Sequence, residues 1–251
     1  MEAARTGLFF SHLITIGGGQ VEIEGLQKLT LLDFPGRVAC TIFTPGCNFR
    51  CPFCQNASLV VDAPAKGAED VEEFFSFLSK RKGILDGVAI TGGEPLLQKG
   101  IDEFISRVRD MGFQVKLDTN GSFPEILRSL IDRKLVDYVA VDIKNSRRKY
   151  PLTSACSDQM LKRVEETVEL LKSGIVDYEF RTTVVAQFHE DGDFEEIGEW
   201  IRGAERYFLQ KFEDSGEIIQ DGLSAPSKED MERFAEIVRP YVKEVSLRGV
   251  Y

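Results

Sequence analysis

The feature that most constrains this chain is a rhythm. Short β-branched or aromatic runs alternate with longer segments whose apolar residues fall three and four apart. The runs are VACTIF (38–43), GVAIT (87–91), FQVKLD (113–118), DYVAVDI (137–143), YEFRTTVV (178–185) and RYFLQKF (206–212). Between them, EDVEEFFSFLSK, GIDEFISRVRDMG, FPEILRSLIDRK, DQMLKRVEETVELLKSG and DFEEIGEWIRGA carry the spacing of amphipathic helices. Gly112 and Gly174 stand where helix stops are expected, and Ser157-Asp158 where a cap is. Strand, helix, strand, repeated about six times, implies parallel strands joined by right-handed crossovers. The runs are nearly all apolar, as strands covered on both faces should be. A (β/α) barrel and an open doubly wound sheet both satisfy this pattern, and six units are fewer than the eight of a full barrel. A last helix, SKEDMERFAEIVRPY, and a strand-like KEVSLRGV end the chain. No linker divides it, so one domain over 25–251 is expected, after a lead-in (1–24) that IGGGQ marks as flexible.

Chemistry collects just beyond the apolar runs. CTIF leads into TPGC, VAIT into GGEP, VKLD into TNG, VAVDI into KNS and YEF into RTT. Loops at the carboxyl ends of parallel strands build the site in such folds, so these groups should converge on one face. A net charge of −10 argues against a general nucleic-acid binder, whose surface would be basic. No run reaches the roughly 20 apolar residues that cross a bilayer. GLFFSHLITIGGG lacks the small-residue cleavage site of a secretion signal. Five cysteines cannot all pair, and a reducing cytoplasm is the expected location.

Cys47, Cys51 and Cys54 form C-x3-C-x2-C in a loop flanked by Pro45, Gly46 and Pro52. A structural zinc needs a fourth ligand. His12 and His189 are far off in sequence, and Cys40 falls within the preceding run. Packing cysteines would not crowd into one loop. Three thiolates on a [4Fe–4S] cluster leave one iron open to a small molecule, so the vacancy itself would be the reactive position.

C-x3-C-x2-C with Phe53 before its last cysteine, followed after a strand by Gly92-Gly93-Glu94-Pro95, resembles the radical S-adenosylmethionine (SAM) superfamily. LTLLDFPGRVACTIFTPGCNFRCPFCQN, TGGEPLLQ, LDTNG, VDIK and VSLRG resemble the glycyl-radical-enzyme activating proteins, among them the anaerobic ribonucleoside-triphosphate reductase activating group. The resemblance spans residues 25–251. With it, the expected fold is α/β: a partial (β/α)6 TIM-like barrel in a single domain. It implies a [4Fe–4S] cluster held by Cys47, Cys51 and Cys54, whose open iron chelates SAM. It also implies one-electron cleavage to methionine and a 5′-deoxyadenosyl radical, with the protein orienting the cofactor.

Other roles follow from the same resemblance. Gly92 and Gly93 would allow close backbone approach to SAM, and Glu94 would accept a hydrogen bond from its ammonium group. Asp118, Thr119 and Asp142 would hold a monovalent cation, Lys144 would meet the SAM carboxylate, Arg181 would reach SAM, and Phe53 would shield the adenine. Each has a plainer reading. GGEP can be a strand-to-helix bend, the aspartates helix caps, Lys144 a solvated lysine, Arg181 an internal ion pair and Phe53 a packing residue. One departure stands out. Formate-lyase-type activases carry a histidine where this chain reads YFLQKFED, leaving Gln210 or Lys211 to replace it. With only Cys40 and Cys156 to spare, a second cluster is not expected. The implied partners are a large glycyl radical enzyme and a flavodoxin or ferredoxin-type electron donor, without nucleic acid or membrane. The alternatives are a radical enzyme acting on a small molecule, an activase of the formate-lyase type, and a non-catalytic zinc module.

Overall fold

The computed structural model describes residues 21–61, 70–214 and 216–250. Each sequence run becomes a strand, and β1 precedes them: β1 (Gly25–Thr30), β2 (Ala39–Thr44), β3 (Gly87–Gly92), β4 (Gln114–Thr119), β5 (Tyr138–Asp142), β6 (Asp177–Val184), β7 (Arg206–Lys211) and β8 (Glu244–Arg248). The helices are α1 (Ala57–Val60), α2 (Val71–Ser79), α3 (Ile101–Asp110), α4 (Pro124–Asp132), α5 (Tyr150–Ser154), α6 (Asp158–Lys172), α7 (Asp191–Trp200) and α8 (Lys228–Val238). Asp70 caps α2 by accepting from two backbone N–H groups, and Ser157 caps α6 through Met160 N–H.

The strands lie in one sheet in chain order, β1 to β8. A doubly wound sheet reverses its strand order at a switch point, and this sheet has none. Every crossover steps the same way, so the helices cover one face and the sheet curls as a partial barrel, with β1 and β8 as its edges among the described residues. Six β/α units run from β2 to α8, as expected, and β8 follows as the expected last strand. Strands β2 to β8 are all parallel, and β1 adds an antiparallel edge. Val21 and Ile23 are buried and the Glu22 N–H donates to Gln98 Oε1, so the folded domain starts before residue 25. Residues 1–20 lie outside the described residues.

Alternation along the strands separates two environments. Cys40, Ile42, Val88, Ile90, Val115, Leu117, Val139 and Val141 join the apolar core that packs against the helices, where Phe74, Phe75 and Phe104 stack. The opposite parity faces the barrel interior. There Phe34, Ala39 and Tyr138 form a small apolar cluster, while Lys116, Glu179 and Arg181 bring in charge. Nearly uniform apolar strands were expected, yet the inner parity of β4 and β6 is polar. Among the described residues, no helix is long and apolar enough to cross a membrane.

Candidate active site

The carboxyl ends of the strands open into a cavity of about 800 Å³, lined among others by Cys47, Cys51 and Cys54. The cysteine loop leaves β2 and is fastened from several sides. The Gly46 N–H donates to Leu59 O at 2.7 Å, Arg50 N–H to Ser154 O at 3.0 Å, and Gln220 N–H to Pro52 O at 3.0 Å. Phe49 meets Tyr150 edge-on, and Phe53 packs on Phe188 with ring centres 5.9 Å apart. Phe53 is buried yet borders the cavity, so it packs and lines at once.

The loop after β3 is sewn to the cysteine loop. Gly93 N–H donates to Thr44 O and Glu94 N–H to Gly46 O, both at 2.8 Å, while Asn56 Nδ2 donates to Gly92 O at 3.1 Å. A Cβ on Gly92, whose φ is +123°, would overlap the Thr44 backbone, and one on Gly93 would overlap Gly46 O. The close approach that these glycines permit is therefore first of all between two protein loops, although both also line the cavity.

Glu94 corrects an expectation. Its carboxylate is fully buried and accepts from Thr119 Oγ1 (2.8 Å), Asn120 N–H (2.7 Å) and Leu96 N–H (3.1 Å). It ties the β3 loop to the end of β4 and opens the short 3-10 turn Pro95–Leu97, rather than offering an oxygen to a ligand. Burial pushes its pKa up to about 7 against the pull of these three donors.

A chain of charges crosses the cavity floor. Arg181 pairs with both Asp118 and Asp142, Lys116 pairs with Asp118, and Lys144 pairs with Asp142. Burial alone would raise both aspartate pKa values. The Arg181 charge, with Lys116 beside Asp118 and Lys144 beside Asp142, more than offsets it, so both are held below the usual carboxylate range. Three cations face two carboxylates here, which leaves one positive charge for an incoming anion. The guanidinium already bridges the two aspartates expected to hold a monovalent cation. Thr119 spends its hydroxyl proton on Glu94 and accepts from Gly121 N–H.

The thiols suit a cluster. Burial pushes Cys51 up to about 12 and raises Cys47, so metal-free they are protonated at neutral pH, and metal must displace those protons. Lys144 opposes the rise at both. Cys47 Sγ accepts from Phe49 N–H at 3.4 Å and from Asn120 Nδ2 at 3.8 Å, contacts that favour a thiolate. Among the described residues, no three His, Cys, Asp or Glu side chains converge on a single ion. A cuboidal cluster does not ask for that, because each thiolate binds its own iron. Cys40 and Cys156 are buried elsewhere, and His189 is held by backbone groups of Lys144 and Val185.

Every expected site residue except Glu94 lines this one cavity, and Gln210 and Lys211 join them. Sequence reasoning passed over Lys116, Asn56 and the Asn48–Asn120–Ser122 cluster. Lys116 interrupts an apolar run just as Arg181 does, and Asn120 follows Thr119 at a strand end, so both signals were present.

Comparison with known proteins agrees with this geometry. The chain is 31% identical over 234 residues to a Methanocaldococcus jannaschii protein assigned by name as a glycyl-radical enzyme activating enzyme, covering 91% of this chain and 96% of that one. It is 32% identical over 130 residues to 7-carboxy-7-deazaguanine synthase of Methanopyrus kandleri, covering 44% of this chain and 51% of that enzyme. The fold matches Streptococcus suis SuiB bound to precursor peptide SuiA with a TM-score of 0.63 at 14% identity, over 81% of this chain and 46% of SuiB. The Radical SAM superfamily profile matches residues 41–201, and the chain belongs to that superfamily.

Proposed function

We propose that this enzyme is an activase that generates a glycyl radical on a large partner protein, with anaerobic ribonucleoside-triphosphate reductase as the first partner to assay. The observation that carries this reading is the near full-length similarity to the Methanocaldococcus protein. The architecture supports it. The cavity is bordered by Gln27, Leu32 and Asp33 beside one sheet edge and by Leu247 to Val250 beside the other, and among the described residues those edges do not pair. A loop of a partner can enter between them.

Within this reading Cys47, Cys51 and Cys54 hold the cluster, and Lys144 with Arg181 offers the surplus positive charge to the SAM carboxylate. Phe53, backed by Phe188, gives the cavity an apolar side that sheds water. When bound, the cluster and SAM supply the electron and the hydrogen-abstracting radical; a flavodoxin or ferredoxin-type carrier is the proposed source of that electron. The protein's own part is to bind, to orient and to exclude solvent.

The test is to incubate the anaerobically reduced protein with SAM and the partner and record the electron paramagnetic resonance spectrum. A glycyl doublet on the partner is expected. Methionine release with no partner radical would refute the activase reading. The partial similarity to the deazaguanine synthase makes a small-molecule substrate the second reading. Consumption of a purine-like metabolite from an extract, without a protein radical, would establish it.

A further inference from the structure

We propose that Asn120 is a positioning residue for the iron–sulfur cluster, setting its reduction potential through a hydrogen bond to the Cys47 sulfur. The inference rests on ligation of the cluster by Cys47, Cys51 and Cys54 and is independent of the partner. Asn120 is buried just after β4, and both polar atoms of its side chain have partners. Its Oδ1 accepts from Ser122 N–H at 2.9 Å and from the Ser122 hydroxyl at 2.6 Å. The amide therefore has one orientation: Nδ2 must point the other way, where it donates to Asn48 Oδ1 at 2.8 Å and lies 3.8 Å from Cys47 Sγ. Asn48 Nδ2 returns a bond to Ser122 Oγ at 2.9 Å, closing a ring of three side chains. The Asn120 N–H is anchored separately on buried Glu94.

Such a ring has no spare rotamer, so an N–H dipole is held on Cys47 at no further ordering cost. Among the described residues, the other two cluster cysteines accept no side-chain hydrogen bond at sulfur, so the effect falls on one corner. Reduction adds one electron from an external reductant and breaks no bond, and its negative charge spreads onto the sulfurs. A donor on a ligating sulfur stabilises the more negative state and raises the potential.

The experiment uses the full chain reconstituted without air, with iron and sulfide counted and the midpoint potential titrated in the absence of SAM. Asn120→Leu, with full iron content, is expected to shift the potential negative, leaving about tenfold less reduced cluster at a fixed applied potential, about 59 mV for one electron. Ser122→Ala removes the hydroxyl that closes the ring and leaves the amide oxygen held by one N–H alone, so it should shift the potential the same way by less. A fully loaded Asn120→Leu at the wild-type potential overturns the inference alone. If that variant loses its iron, Ser122→Ala decides by the same criterion. Wild-type protein that takes up no iron overturns the ligation and this inference together.

Discussion

Gly93 shows how little room the two central loops leave each other. Its N–H bonds Thr44 O, and the space a side chain would need is filled by Gly46 O. Neither partner is the end of a flexible side chain, so the backbone itself must give way. Gly93→Ala should lower stability by at least about 2 kcal/mol in urea unfolding and reduce iron uptake, because the loop it displaces carries Cys47. Wild-type stability and wild-type iron content in that variant would contradict this account. The glycines, the cysteines and the strand-end charges were legible in the sequence because their types are rare in such places. The role of Glu94 was not. A carboxylate in a glycine-rich turn reads equally well as a ligand or as a joint, and only burial with three donors separates the two. The asparagine ring was illegible for a related reason: Asn48 and Ser122 are 74 residues apart, and no local pattern announces their bond.

Among the elements, the parallel strands and long helices followed directly from periodicity, within a residue or two at their ends. β1 escaped because GLQKLT is half exposed and its pairing to β2 slips between Gln27 and Thr30, so it lacks both apolar runs and clean alternation. The short α1 and α5 are too brief to show a period. The β6–α7 connection hides a different device. His189 donates from Nε2 to Lys144 O at 3.0 Å and accepts Val185 N–H at Nδ1 at 3.1 Å, so one neutral tautomer links the loops after β5 and β6. Burial holds its pKa below the ordinary value near 6.5, with the backbone bonds to Lys144 and Val185 opposing it. Below that ordinary value the unfolded chain binds a proton that the folded chain refuses. The stabilisation is therefore fully present above about pH 6.5 and is lost as pH falls toward the folded pKa. His189→Ala should cost about 1–3 kcal/mol at pH 8 and less at pH 5, measured as the difference between wild-type and variant urea curves. Taking the difference removes the contribution of Glu94. With its pKa raised to about 7, that residue works in the opposite sense and loses stabilisation as pH rises from about 4.5 to 7. A difference that stays constant from pH 8 to pH 5 would refute the role of His189.

For the molecule as a whole, a net charge of −10 and a locally positive cavity floor divide the electrostatics between solubility and recognition. The sequence showed the first directly. The second depended on a register that brings Lys116, Asp118, Asp142 and Arg181 side by side from three adjacent strands. The same division governs what the cluster does for stability. Its three proposed ligands lie within eight residues on a loop above the barrel, whereas the core runs between the outer sheet face and the helices. That loop is also held without metal, through Leu59, Ser154, Gln220 and the β3 loop. Small zinc modules unfold when stripped because the metal replaces a core, but here a core exists already. Iron removal by chelation, or replacement of all three cysteines by serine, should therefore leave the far-ultraviolet circular dichroism unchanged and the thermal transition cooperative. The melting temperature should fall by less than about 10 °C. SAM binding should nevertheless disappear, because on the proposed arrangement the remaining charges would meet only the carboxylate end of the ligand. A stripped protein that melts without cooperativity would show that the cluster, not the sheet, holds the carboxyl ends of the strands together.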